Sequence, residues 1–109
     1  MPIDEALRER VRAQLSEVDD IVEKAIVGGI GFTLRGNLLC GVMGDDLLVR
    51  IARNDYDRYV AEAGARPMVM AGRSSRSFLL VEGAIVDSQP ELARWMDRAM
   101  EFVDTLPAK

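Results

Sequence analysis

The chain has 109 residues, 49% hydrophobic and 29% charged, the size and composition of one folded domain, and it excludes a disordered chain. With no histidine and a single cysteine, Cys40, it excludes Ser-His-Asp and Cys-His nucleophile systems, an intramolecular disulfide and a cysteine zinc cluster. The net charge of −4 disfavours long-range attraction to nucleic acid or to an anionic membrane, and no apolar run is long enough to span a bilayer.

Residues 3–26 are expected to form one long amphipathic helix. Ile3, Leu7, Val11, Leu15, Val18, Val22 and Ala25 recur at spacings of three and four. Gly28-Gly29 is expected to stop that helix. Three strands follow. Ile30, Phe32 and Leu34 alternate with Gly31, Thr33 and Arg35, the period of a half-buried strand. Arg35-Gly36-Asn37 reads as a turn, and Leu38 to Met43 as a strand that is apolar on both faces, as in a sheet centre or an interface. Gly44-Asp45-Asp46 is the next turn, and Leu47, Val49 and Ile51 continue the alternation. Connections this short force antiparallel neighbours.

Asn54 is placed to cap a short helix running to about Ala63, ended by Gly64 and Pro67. Met68–Ala71 and Ser77–Val81 read as a hairpin joined by the polar loop Gly72-Arg73-Ser74-Ser75-Arg76. Ala84 to Val86 reads as an extended exit. Ser88-Gln89-Pro90-Glu91 has the pattern of a capping box, and Leu92, Trp95, Met96, Ala99, Phe102, Val103 and Leu106 mark one face of a closing helix. The sequence shows no repeat or linker, so residues 1–109 read as a single domain. The expected fold class is α+β: a two-layer α/β arrangement with an antiparallel sheet, in the order α-β-β-β-α-β-β-α.

Few residues offer chemistry. Asp45-Asp46 is the one adjacent carboxylate pair in the strand region, and its setting is that of a polar hairpin turn rather than a calcium or magnesium loop. Cys40 lies in an apolar strand, where a thiol is a small packing group; reactivity would need exposure and a neighbouring cation such as Arg35 or Arg50. Gly28-Gly29-Ile30-Gly31 lies after a helix and before a strand, the reverse of a phosphate-binding loop, and no Gly-Lys-Ser/Thr follows. The strongest anion or partner contact is Arg73, Ser74, Ser75 and Arg76, with Arg66, Arg50 and Arg53 as extensions. The sequence implies no catalytic residue, metal or cofactor.

The ordered set of segments resembles the N-terminal domain of the TfoX/Sxy family, bacterial competence regulators. Lys24-Ala25-Ile26-Val27-Gly28-Gly29-Ile30-Gly31-Phe32 stands where the family has a basic residue followed by a Met-Phe-Gly-Gly step, with Ile26-Val27 replacing Met-Phe. Arg35-Gly36-Asn37-Leu38, Gly44-Asp45-Asp46-Leu47-Leu48-Val49-Arg50, Ala63-Gly64-Ala65-Arg66-Pro67-Met68, and the helix from Pro90-Glu91-Leu92 carrying Trp95 also match. The resemblance implies a secretion-chaperone-like sheet covered by helices, here as a stand-alone N-terminal domain without the family's helical C-terminal domain. It brings no catalytic residues.

The expected function is therefore a non-enzymatic regulatory domain acting through protein contacts. The single cysteine, and a charged N-terminus without the apolar core of a secretory signal, point to the cytoplasm. The apolar strand at Leu38–Met43 and the first helix offer surfaces for a homodimer. One alternative is direct DNA binding near Arg66, Arg73 and Arg76. The other is a small ligand-binding domain or enzyme using Asp45, Asp46 or Cys40.

Overall fold

Asp4 starts the first helix, α1 (Glu5–Gln14): its carboxylate accepts a hydrogen bond from the Leu7 N–H at 3.1 Å. The computed structural model describes residues 2–109. The helix ends ten residues in, well short of the expected Ile26, and Leu15 closes it. Asp20 then adopts a left-handed conformation (φ 65°), and the chain turns into a strand, β1 (Ile21–Ile26). The spacing of Val18, Val22 and Ala25 fits a helical stripe, but Ile21, Val22 and Ile26 are β-branched and favour a pleated surface. Pairing along the whole of β2 (Gly29–Leu34), from Ile21 opposite Leu34 to Ile26 opposite Gly29, decides the outcome. Gly28 (φ 88°) is thus the turn of a hairpin rather than a helix stop.

The strands β3 (Asn37–Met43) and β4 (Asp46–Arg50) follow as an antiparallel meander. Arg53–Asp55 form a 3₁₀ turn leading into α2 (Tyr56–Val60), shorter than expected and without a side-chain cap from Asn54. A second hairpin, β5 (Ala65–Met70) and β6 (Arg73–Val81), adds to β4 through β6. Residues Gly83–Val86 form a one-turn helix, α3, where an extended exit was expected. The closing helix α4 (Gln89–Val103) is capped by Ser88, whose hydroxyl accepts from the Glu91 N–H at 3.4 Å.

The result is an α+β fold on an open antiparallel sheet of six strands in the order β1-β2-β3-β4-β6-β5. The expected order of elements is present, with β1 added after the first helix and the one-turn α3 added before α4. Leu7 and Val11 of α1, Tyr56 of α2, Val86 of α3, and Leu92, Trp95, Met96, Ala99 and Val103 of α4 belong to one core. From the sheet, that core takes Phe32, Leu34, Cys40, Val42, Leu47, Val49, Leu79 and Val81. The helices therefore cover a single face. A bulge in β3 adds to it: Phe32 pairs with Cys40 and Thr33 with Leu38, so Leu39 is unpaired, and both Leu39 and Cys40 are buried in the core.

Charge ties α1 to the sheet. Arg8 Nη2 (2.5 Å) and Arg12 Nε (2.6 Å) both donate to the carboxylate of Glu23 on β1. Hydrogen bonding from Arg12 foremost, then from Arg8, lowers the Glu23 carboxyl to about 2. In the unfolded chain the group titrates near 4.5, so its contribution is complete above that pH and disappears as the pH falls towards 2. Glu23→Gln is expected to lower the urea midpoint at pH 7, with the gap to the parent closing between pH 4.5 and 2; a gap that does not change with pH would overturn this assignment. Trp95 is fully buried, and Trp95→Ala is expected to cost about 3–5 kcal/mol in urea unfolding. A loss below about 1 kcal/mol would show that α4 does not anchor the core.

Candidate interaction site

The β5–β6 hairpin closes on Ala71 (φ 54°) and Gly72 (φ 77°), two consecutive left-handed residues that match the twist of a two-residue hairpin turn. Met70 pairs with Arg73 and Val69 with Ser74. The register then shifts. The next pair is Pro67 with Leu79, so β6 places Ser75 to Phe78 against Met68 alone and bends there. Arg73 and Ser74 are thus strand residues beside a tight turn, not members of the expected loop. Val69 and Met70, at 59% and 44% exposure, are among the most exposed large apolar side chains of the described residues.

The five expected contact residues do not form one anion site. Arg73 and Ser74 share the exposed tip. Ser75 is partly engaged, its Oγ accepting from the Ser77 N–H at 3.1 Å. Arg76 lies 4.7 Å over the Tyr56 ring and donates to Asp57 at 3.1 Å, which fastens the hairpin to α2. Arg66 is at the other end of the hairpin, opposite Leu80, and is paired with Asp46. Arg50 lies between the rings of Phe78 (5.7 Å) and Phe102 (5.9 Å) and does not extend the tip. Arg53 is exposed on the 3₁₀ turn.

Asp46 is structural, accepting from Arg66 and from the Gly83 N–H at 3.2 Å, while Asp45 is an exposed turn residue. That geometry ties α3 and β5 to the start of β4 and does not gather a metal-binding pair. Cys40 is fully buried, and burial pushes its thiol far above its ordinary range, so almost no thiolate exists at neutral pH.

One cluster had no counterpart in the sequence reading. Arg98 lies 4.1 Å from the ring of Tyr59 and 4.6 Å from that of Trp95, and its Nη2 is 2.8 Å from Glu62. Glu62 also accepts from Arg94 at 2.8 Å, and these hydrogen bonds, Arg98 first, lower its carboxyl. The Arg98 Nη1 and the Trp95 Nε1 are buried without a hydrogen-bond partner. The three-residue spacing of Trp95 and Arg98 on one helix was the available signal; the Tyr59 and Glu62 side of the cluster depends on tertiary packing. Depressions among the described residues include one of about 520 Å³ between the start of α1 and the β1–β2 turn, and one of about 220 Å³ beside Arg98 and Phe102. Among the described residues no helix is long and apolar enough to cross a membrane.

Residues 13–103 match the family model for the TfoX N-terminal domain. The chain belongs to that family. The match covers β1 to α4, the whole sheet and its principal helix. No curated protein and no solved structure matches the chain. The TfoX N-terminal domain is a regulatory domain family. Cys40 is expected to resist a thiol-reactive disulfide reagent in the native protein at pH 8 and to react stoichiometrically in 6 M guanidinium; rapid labelling of the folded chain would refute its burial.

Proposed function

We propose that this TfoX-type domain is a non-enzymatic regulator that works through protein contacts, with the tip of the β5–β6 hairpin as its contact element. The observation that carries the reading is the combination of exposed Val69 and Met70 with exposed Arg73 in a stretch, Ala63 to Val81, that contains three arginines and no carboxylate. The rest of the chain is acidic, because a net charge of −4 with +3 in this stretch leaves −7 elsewhere. A partner surface with an apolar patch rimmed by carboxylates fits this tip: burial of Val69 and Met70 supplies affinity, and Arg73 supplies orientation and on-rate. Arg76 and Ser75 hold the hairpin in place, and Ser74 is open to a hydrogen bond. The large exposed apolar side chains include no aromatic ring that would stack on a nucleic-acid base, which favours protein over DNA.

The test is capture of partners from the native cell with the parent and with a Met70→Asp/Arg73→Glu variant. The expected result is at least a tenfold loss of the retained partner with the thermal midpoint unchanged, since neither side chain touches the core. Equal retention by both proteins would overturn the assignment to the hairpin. Binding to duplex DNA at low salt that weakens steeply as salt rises would replace protein contact by direct DNA recognition.

A further inference from the structure

The helices divide the inner face of the sheet between them. α4 packs on β3 and β4, α3 on β4, and α2 on β5 and β6. The β1–β2 end is left to α1, whose Arg8 and Arg12 reach Glu23 on β1. Cross-strand partners share a face, so the pairs Ile21 with Leu34, Glu23 with Phe32, and Ala25 with Ile30 form the floor beneath it. Leu7, Val11 and Leu15 fill this groove at spacings of four, and all three are buried. Three observations set α1 apart from the other helices. The family match begins at residue 13, so all but the last two residues of α1 precede it, while β1 to α4 lie within it. The depression of about 520 Å³ undercuts the start of the helix, between Ile3, Glu5 and Arg8 and the β1–β2 turn. Among the described residues, the bond from the Asp4 N–H to the Gly44 carbonyl is the one backbone hydrogen bond that joins residues 2–19 to the rest of the fold.

We propose that α1 is a strap that lifts as a unit about the Ser16–Asp20 turn, and that the groove beneath it is a docking site for an amphipathic helix of a partner. A helix of ten residues does not persist alone in water, so the released segment melts and regains chain entropy, which favours opening. The occupant is defined by what α1 itself places there. It carries apolar side chains at positions i, i+4 and i+8, as Leu7, Val11 and Leu15 do, and cations at i+1 and i+5, as Arg8 and Arg12 do. The cations are the selective part. With α1 lifted, Glu23 is a carboxylate on an apolar floor without its counter-charges, and an occupant that restores them is preferred over one that is merely apolar. A basic helix also suits a chain whose net charge is −4. The groove lies at the β1 end of the sheet and the β5–β6 tip at the other, so the two contacts are separate.

Hydrogen exchange on the full chain tests the strap. The α1 amides are expected to be protected at least about 100-fold less than those of β3, and equal protection of the two would overturn the proposal. Fluorescence anisotropy with a labelled peptide of residues 2–16 as the probe tests the groove. Val11→Asp puts a charge into the groove and releases α1. That variant is expected to bind the peptide at least about tenfold more tightly than the parent, in which the tethered strap competes at an effective concentration of roughly millimolar. A peptide carrying Arg8→Gln and Arg12→Gln is expected to bind at least about tenfold more weakly than the unaltered one. Adding Met70→Asp/Arg73→Glu to the Val11→Asp chain is expected to leave peptide binding unchanged, so failure of the hairpin tip as a contact and failure of the groove are distinguishable. A Val11→Asp protein that is folded by circular dichroism and does not bind the peptide would overturn the proposal. Loss of the whole fold in that variant would overturn it too, because α1 would then be integral to the core.

Discussion

The packing of α4 across β3 and β4 holds this molecule together. Leu92, Trp95, Met96, Ala99 and Val103 form one stripe of that helix, and they meet a sheet surface in which the β3 bulge turns Leu39 and Cys40 inward together. A strictly alternating β3 would aim one of them at the opposite face. The remaining elements are fitted around this contact. The segment after α4 is fixed at the β2–β3 turn, where the Asn37 amide donates to the Pro107 carbonyl and the Lys109 N–H to the Arg35 carbonyl, each at 2.9 Å. The N-terminus is fixed at the β3–β4 turn, where the Asp4 N–H donates to the Gly44 carbonyl at 2.9 Å.

The arginines serve mainly as struts. Arg8 and Arg12 join α1 to β1, Arg76 joins the second hairpin to α2, Arg66 joins β5 to the start of β4, and Arg94 and Arg98 join α4 to Glu62 beyond α2. Single exposed pairs contribute little to stability. Here each one links two elements, and Arg76, Arg94 and Arg98 also lie over aromatic rings. A planar guanidinium stacks on an aromatic face where lysine would not, which is how Arg98 can rest against Tyr59 and Trp95 and still reach Glu62.

The parts of the fold set by local chemistry were legible in the sequence. The closing helix, its Ser88 cap, the meander and the buried Cys40 follow from periodicity, capping and turn residues. The parts set by competition between distant segments were not. Residues 21–26 satisfy helical and extended spacing alike, and only pairing with β2 selects the strand. The polar composition of Arg73 to Arg76 suggested a loop, but a two-residue turn at Ala71-Gly72 draws those residues into β6 and separates them from Arg66. The apolar character of Leu38–Met43 on both sides was visible. The extension of that second apolar surface across β4 and β6 depended on strand order.

Both outer strands of the sheet are blunted against further growth. In β5, Pro67 offers no N–H and the register breaks between it and Val69, so an incoming strand finds an incomplete ladder. In β1, exposed Lys24 points away from the helix layer and would sit against the backbone of any added strand. The sheet is thus poorly suited to lengthening edge to edge into a fibre.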